Sequence, residues 1–183
     1  MEWHNTGDMK FATVLFTAVL CVQSQPANPL IAASKAIFNI SKNDLLGSVD
    51  KIPADMWSFR PTPEVRTVGQ LFAHIADGQY EFCGVASEGK VVSRNIEKTA
   101  DTREAIIAAL KEAFAYCDAA FANMTDVNAA EQVKFLGMNI TRLAALDFDT
   151  AHNMEHYGNL VTYMRLKNIV PPSSTPRTPP SHK

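Results

Sequence analysis

Residues 102–124, TREAIIAALKEAFAYCDAAFANM, decide how the chain is read. Ile107, Leu110, Phe114, Cys117, Phe121 and Met124 recur at alternating spacings of three and four residues. Such a spacing keeps one stripe of an α-helix apolar, whereas a strand would alternate every second residue. The helix is expected to start near Thr102, with Glu104 in the first turn, where the positive helix end favours an acid.

The same period recurs on both sides of this segment. Asn28 is placed to cap a helix over residues 29–49, in which Leu30, Ile31, Ile37, Phe38, Leu45 and Leu46 recur at helical spacing. A proline-bearing loop follows over 53–63. Thr67 then caps a helix that runs to about Ser87, with Leu71, Ile75, Phe82 and Val85 inward. Residues 89–100 break the pattern. Beyond the opening stretch, 126–140 read as a connection in which 132–136 can be briefly extended. A last helix begins near Asn139 or Thr141 and continues to about Lys167. The expected fold is therefore all-α, a four-helix bundle over residues 25–170. The proline-rich segment 171–183 has little to pack and reads as a disordered tail.

The chain has 183 residues, which suits one bundle domain, and 46 % hydrophobic content supports a buried core. A net charge of -2, with no Lys/Arg run longer than two, gives no electrostatic footprint for nucleic acid. At the N-terminus, Lys10 precedes an apolar run over 11–22 and a small-residue exit at Ser24. That is the pattern of a secretory signal over residues 1–24, and the run is shorter than the roughly 20 residues of a stable membrane span. Met9 is an alternative start, which would make 1–8 an upstream extension. Export to a periplasmic or extracellular space is expected. A lipid anchor at Cys21 fits less well, because Leu20 precedes it. Once the signal is removed, Cys83 and Cys117 remain. Export would permit them to pair, but each lies on an apolar helical stripe, so buried free thiols are the expectation.

The chemistry-bearing residues are histidines. His4 lies in the signal region and His182 in the tail, leaving His74, His152 and His156. In AHNMEHYGN, residues 151–159, four residues turn an α-helix by about 400°, so His152 and His156 share a face one turn apart. Two imidazoles so placed can reach one ion, and His74, beside the inward stripe of its helix, can add a third. The bland alternative is a surface histidine pair and a packing histidine. A peptidase reading fails: the order H-E-x-x-H is absent, and no acidic residue follows Glu155 as the third ligand that H-x-x-E-H enzymes need.

Two segments, WSFRPTPEVRTVGQLFAHIA over 57–76 and HNMEHYGNLVTYMRLKNIVPP over 152–172, carry a resemblance to the DinB-like (YfiT-like) superfamily of small metal-binding four-helix bundles. The resemblance spans most of 28–172. It implies that His74, His152 and His156 hold a divalent ion such as zinc, nickel, iron or manganese. It also implies kinship with thiol-using enzymes, namely bacillithiol transferases and mycothiol-dependent isomerases. An export signal departs from that pattern, because such thiols are cytosolic.

Three neutral imidazoles leave positions on the ion open for water or a thiol. Asp77, Glu81 and Glu155 are candidates to orient an imidazole or act as a base, and Asn159 and Tyr163 to line the pocket. Trp57 and Arg60 are candidates to roof it, although core packing and a surface ion pair are the blander roles for these two. Two functions follow: an exported metal-dependent hydrolase or thiol transferase acting on an unidentified small molecule, or a bundle whose metal site is structural or sequestering. Pairing through helix faces into a homodimer is a further expectation.

Overall fold

The computed structural model describes residues 27–176. The proposed signal segment and the end of the tail lie outside the described residues. Four long helices form the bundle: α1 (Pro29–Lys51), α2 (Val68–Glu88), α4 (Arg103–Ala122) and α6 (Arg142–Leu166). Two single-turn helices, α3 (Ile96–Thr99) and α5 (Asp126–Ala129), and a hairpin of β1 (Gln132–Phe135) and β2 (Met138–Thr141) fill the connections. Among the described residues, no helix is long and apolar enough to cross a membrane.

The helix starts follow the side chains that satisfy their first amides. Thr67 and Gln70 form a reciprocal capping box at α2, and Thr102 and Thr141 accept from Ala105 and Ala144 at α4 and α6. Asn28 does not cap α1. The Asp126 carboxylate accepts from the Leu30 and Ile31 amides at 3.1 and 3.0 Å, while Asn28 Oδ1 accepts from the Asp126 amide. A residue nearly 100 positions away thus closes the first helix, which local spacing could not reveal.

α2 is the central helix, packed on α4 and α6, and the core runs through Phe38, Leu45, Phe72, Ile75, Leu110, Phe114, Leu146, Leu160 and Met164. Of the adjacent pair Ile37 and Phe38, both on the expected period, only Phe38 turns inward, with Ile37 52 % exposed, and Ile107 packs at the edge of the core beside a buried Ile106. Leu30, at the first turn of α1, is also exposed.

The strand expected over 132–136 is half of a hairpin. Its two-residue turn, Leu136–Gly137, has φ of 48° and 79°, the left-handed pair that matches the twist of the flanking strands. Its partner strand was illegible because it runs directly into the cap of α6. The hairpin places Phe135 against Phe82 and Phe148, with centroids 5.5 and 5.1 Å away.

Two expectations are overturned. Cys83 and Cys117 are a disulfide joining α2 to α4, with Cα atoms 5.3 Å apart. Their two apolar stripes face each other, so the burial that argued for free thiols is what brings the sulfurs together. The chain beyond residue 170 is also ordered as far as it is described. Pro172–Ser174 is a 3-10 turn, Tyr157 Oη hydrogen-bonds the hydroxyl and amide of Ser173, and Pro172 packs at Gly47.

Candidate metal centre

His74 projects from α2, and His152 and His156 from successive turns of α6. The three Nε2 atoms converge: His152 to His74 is 3.2 Å, and His156 to His152 is 3.1 Å. All three ligand atoms lie within 4.8 Å of one another. Metal–nitrogen bonds of 2.0–2.1 Å in a tetrahedron place their nitrogens about 3.3 Å apart, so the spacing fits one shared ion. Among the described residues, no further ligand-type side chain joins this group.

The close approach of α6 to α2 needs a missing side chain. A β-carbon at Gly78 would lie 2.6 Å from Cε1 and 2.9 Å from Nδ1 of His152. Phe82 also packs against that ring, edge-on at 5.0 Å, and is itself backed by Phe135 and Phe148. The hairpin therefore helps bury the site.

Burial keeps the two α6 rings neutral. It pushes His152 down to about 3, with the neighbouring His156 and His74 adding to the effect. His156 is lowered chiefly by burial as well, then by His74. Neutral imidazoles keep their lone pairs at physiological pH, as ligation requires. His152 Nδ1 is buried without a hydrogen-bond partner.

His74 is oriented by a residue that spacing did not single out. Its Nδ1 lies 3.2 Å from Oε2 of Glu97 on α3, the carboxylate–histidine arrangement common around metals. Arg66 donates to both Glu97 oxygens, at 2.8 and 3.4 Å. Burial would raise the Glu97 carboxyl, but Arg66, with His74 helping, outweighs it and holds the group below its usual range. Asp77 does not touch an imidazole. It accepts from the Ile96 and Glu97 amides at 2.8 and 2.9 Å, fixing the turn that presents Glu97. The sequence offered no handle on Glu97 or Arg66, since α3 is four residues long and carries no period.

A cleft of about 530 Å³ opens beside His156, lined by Arg66, Leu71, Glu97, Glu155, Asn159 and Tyr163 among others. Glu155, Asn159 and Tyr163 therefore lie where a pocket role requires. Asn159 Nδ2 lies 3.4 Å from His156 Nδ1, and Tyr163 Oη donates to the Arg66 carbonyl. Glu81 does not line this cleft; burial and then the nearby Asp77 raise its carboxyl, against the pull of His74.

Trp57 and Arg60 are not at the site. Trp57 is buried and stacked on Phe72, with the Arg103 guanidinium 5.1 Å from its ring. Arg60 donates to the Pro63 carbonyl and braces its own loop. For both, the burial of an aromatic ring and the reach of a local carbonyl outweigh any pull towards the histidines.

The fold resembles solved structures of low identity. A DinB-like protein from Bacillus cereus ATCC 10987 is 16 % identical, with TM-score 0.66 over 78 % of this chain and 95 % of that one. A DinB-like protein from Bacillus subtilis, YjoA, is 20 % identical, with TM-score 0.62 over 82 % of this chain and all of that one. A mycothiol-dependent maleylpyruvate isomerase is 13 % identical, with TM-score 0.60 over 71 % of this chain, which spans 60 % of that protein. No curated protein matches. The sequence model of the DinB superfamily matches residues 37–160, from the core of α1 through both α6 histidines, and the chain belongs to that superfamily.

Proposed function

We propose that this chain is an exported divalent-metal protein that carries out a metal-dependent reaction, hydrolysis or thiol transfer, on a small molecule entering the cleft beside His156. One observation carries the reading: three imidazoles converge at the spacing of a shared ion, and the third of them borders the cleft. A bound ion would supply Lewis acidity towards a water or thiol in its remaining position.

The chain's own residues would do the rest. Glu97, held by Arg66 and by the turn that Asp77 fixes, keeps the His74 ring in place. Glu155 presents a carboxylate to the cleft and is the base candidate, because it lines the cavity and Glu81 does not. Leu71 and Val65 give the wall an apolar strip. The sequestering alternative needs a closed set of four protein ligands, and the three-membered group favours the catalytic reading.

Export is supported by the apolar run over 11–22 and by a buried disulfide, a bond that persists mainly in oxidising compartments. The mycothiol-dependent neighbour supports thiol transfer only as a chemical class, and the choice between the two reactions belongs to experiment.

Metal content of protein purified without an affinity tag, wild type beside His152→Ala, tests the site. The proposal expects near-stoichiometric metal that is lost in the variant; equal metal in both removes it. Screening the metal-loaded form against thiols, esters and amides then tests turnover, and a loaded protein inert to all of them favours the sequestering role.

A further inference from the structure

One turn before the first α6 histidine, Asp149 is fully buried in the core between α2, α4 and α6. Its Oδ2 accepts from Asn153 Nδ2 at 3.2 Å, and Asn153 Oδ1 accepts from Gln79 Nε2 at 2.6 Å. Its Oδ1 has no hydrogen-bond partner among the described residues. A carboxylate oxygen of Asp149 and the sulfurs of Cys83 and Cys117 lie within 4.8 Å of one another, and both cysteines are wholly buried. Hydrogen bonding explains one face of this carboxyl and leaves the other aimed at nothing, although an unpaired buried polar atom costs about 1–3 kcal/mol.

We propose that Cys83, Cys117 and Asp149 are a second metal site, closed while the two sulfurs are bonded to each other and opened by reduction to take a thiophilic divalent cation. Three helices supply one donor each. Two thiolates and a carboxylate select soft or borderline ions such as zinc and cadmium. The Gln79 carbonyl oxygen, 3.3 Å from Cys117 Sγ, stands ready as a fourth donor.

The electrons and protons balance as follows. An external dithiol delivers two electrons and two protons: the S–S bond breaks, two thiols form, and the dithiol closes into its own disulfide. Without a cation the three groups stay protonated, because three adjacent anions in the core would be prohibitively costly. Burial already holds the Asp149 carboxyl up at about 8, against the pull of Asn153. The cation then replaces the two thiol protons and the carboxyl proton, which are released to solvent. Cation and oxidation compete for the same two sulfurs, so each must weaken the other. With no exposed atom on either cysteine, exchange proceeds only through local opening of the bundle.

The test is a cadmium titration of the full chain carrying Cys21→Ser, so that Cys83 and Cys117 are its two cysteines, oxidised and dithiol-reduced, with excess dithiol removed under anaerobic conditions. The ultraviolet thiolate-to-cadmium charge-transfer band reports sulfur and is silent on imidazole. The oxidised chain is expected to give no band, and the reduced chain a band that, in the His74→Ala background where the histidine site does not compete, saturates at a single equivalent per chain. Cys117→Ser should abolish the band. Asp149→Asn should weaken cadmium binding at least about tenfold. His74→Ala, which dismantles the histidine site, should leave the band intact, so the two sites can fail separately. Bound cadmium should slow reoxidation of the thiols by air. A reduced chain with two titratable thiols that gives no band overturns the proposal. So does loss of the helical circular dichroism on reduction, since the site requires the bundle to outlive the bond.

Discussion

At the scale of single residues, the three histidines were legible because the body of the chain contains no others and each falls on a helical period. Gly78 was not legible, since nothing in the sequence marks which face of α2 meets α6. Its role is directly testable. Gly78→Ala places a β-carbon 2.6 Å from His152 Cε1 and must push that ring away. Zinc affinity, measured against a chromophoric chelator, is expected to fall by about 10- to 100-fold, the usual cost of disturbing a ligand's support. Urea stability should fall by up to about 2 kcal/mol, because overpacking a buried contact costs about 1–3 kcal/mol and the better helix propensity of alanine returns only about 1 kcal/mol. Unchanged zinc affinity would show that the ring has room to spare. Asp149 gives a second prediction, in the metal-free, disulfide-bonded chain. Burial pushes its folded carboxyl up to about 8 from an ordinary 3.8, so unfolding releases its proton at any pH between the two. Stability from this group is therefore lost as pH rises through that window, at up to about 1.4 kcal/mol per pH unit. His152 works oppositely: its depressed value costs stability only as pH falls below 6.5. Between pH 6.5 and 8, urea unfolding of the wild type should weaken with rising pH more than that of Asp149→Asn. Parallel curves would mean that Asp149 is ionised in the fold.

At the scale of elements, the long helices announced themselves through period and caps, and the short ones did not. Thr67 caps as its position predicts, and Thr102 and Thr141, read from the sequence as helix starts, cap as well, whereas Asn139, the alternative start of α6, lies in β2. α1 is the exception, because its first amides are closed by Asp126 from a distant turn. The outward turn of Ile37 and the deeper burial of Ile106 than Ile107 have a related cause: adjacent apolar residues fit a periodic template equally well, and only the neighbouring helix decides between them. α3 matters most for the site. It has four residues, two of whose amides are satisfied by Asp77, and it carries the carboxylate that faces His74. Asp77→Asn should cost about 0.5–2 kcal/mol, as loss of a helix-terminal acceptor usually does, and should also loosen Glu97. Metal affinity should therefore drop with Asp77→Asn although Asp77 touches no ligand. A stability loss with metal affinity unchanged would confine Asp77 to holding the loop.

At the scale of the whole molecule, the bundle joins its two histidine-bearing helices through a shared core and ties α2 to α4 by the Cys83–Cys117 bond. In the chain-entropy view, a cross-link of 34-residue separation stabilises by about 3–4 kcal/mol. The sequence supplied both stripes but not their facing, which is a property of the assembled bundle. The same holds for the site: His152 and His156 share a face by helical arithmetic, but their meeting with His74 depends on how α2 and α6 pack. The most direct measurement is therefore calorimetric titration of zinc into metal-free, disulfide-bonded protein, wild type beside His74→Ala. Wild type is predicted to bind a single equivalent tightly. His74→Ala should bind at least about 100-fold more weakly, because it deletes the only ligand that α2 contributes to this site. Equal affinity in the two proteins would contradict a shared three-histidine centre and leave the α6 pair as an isolated surface feature.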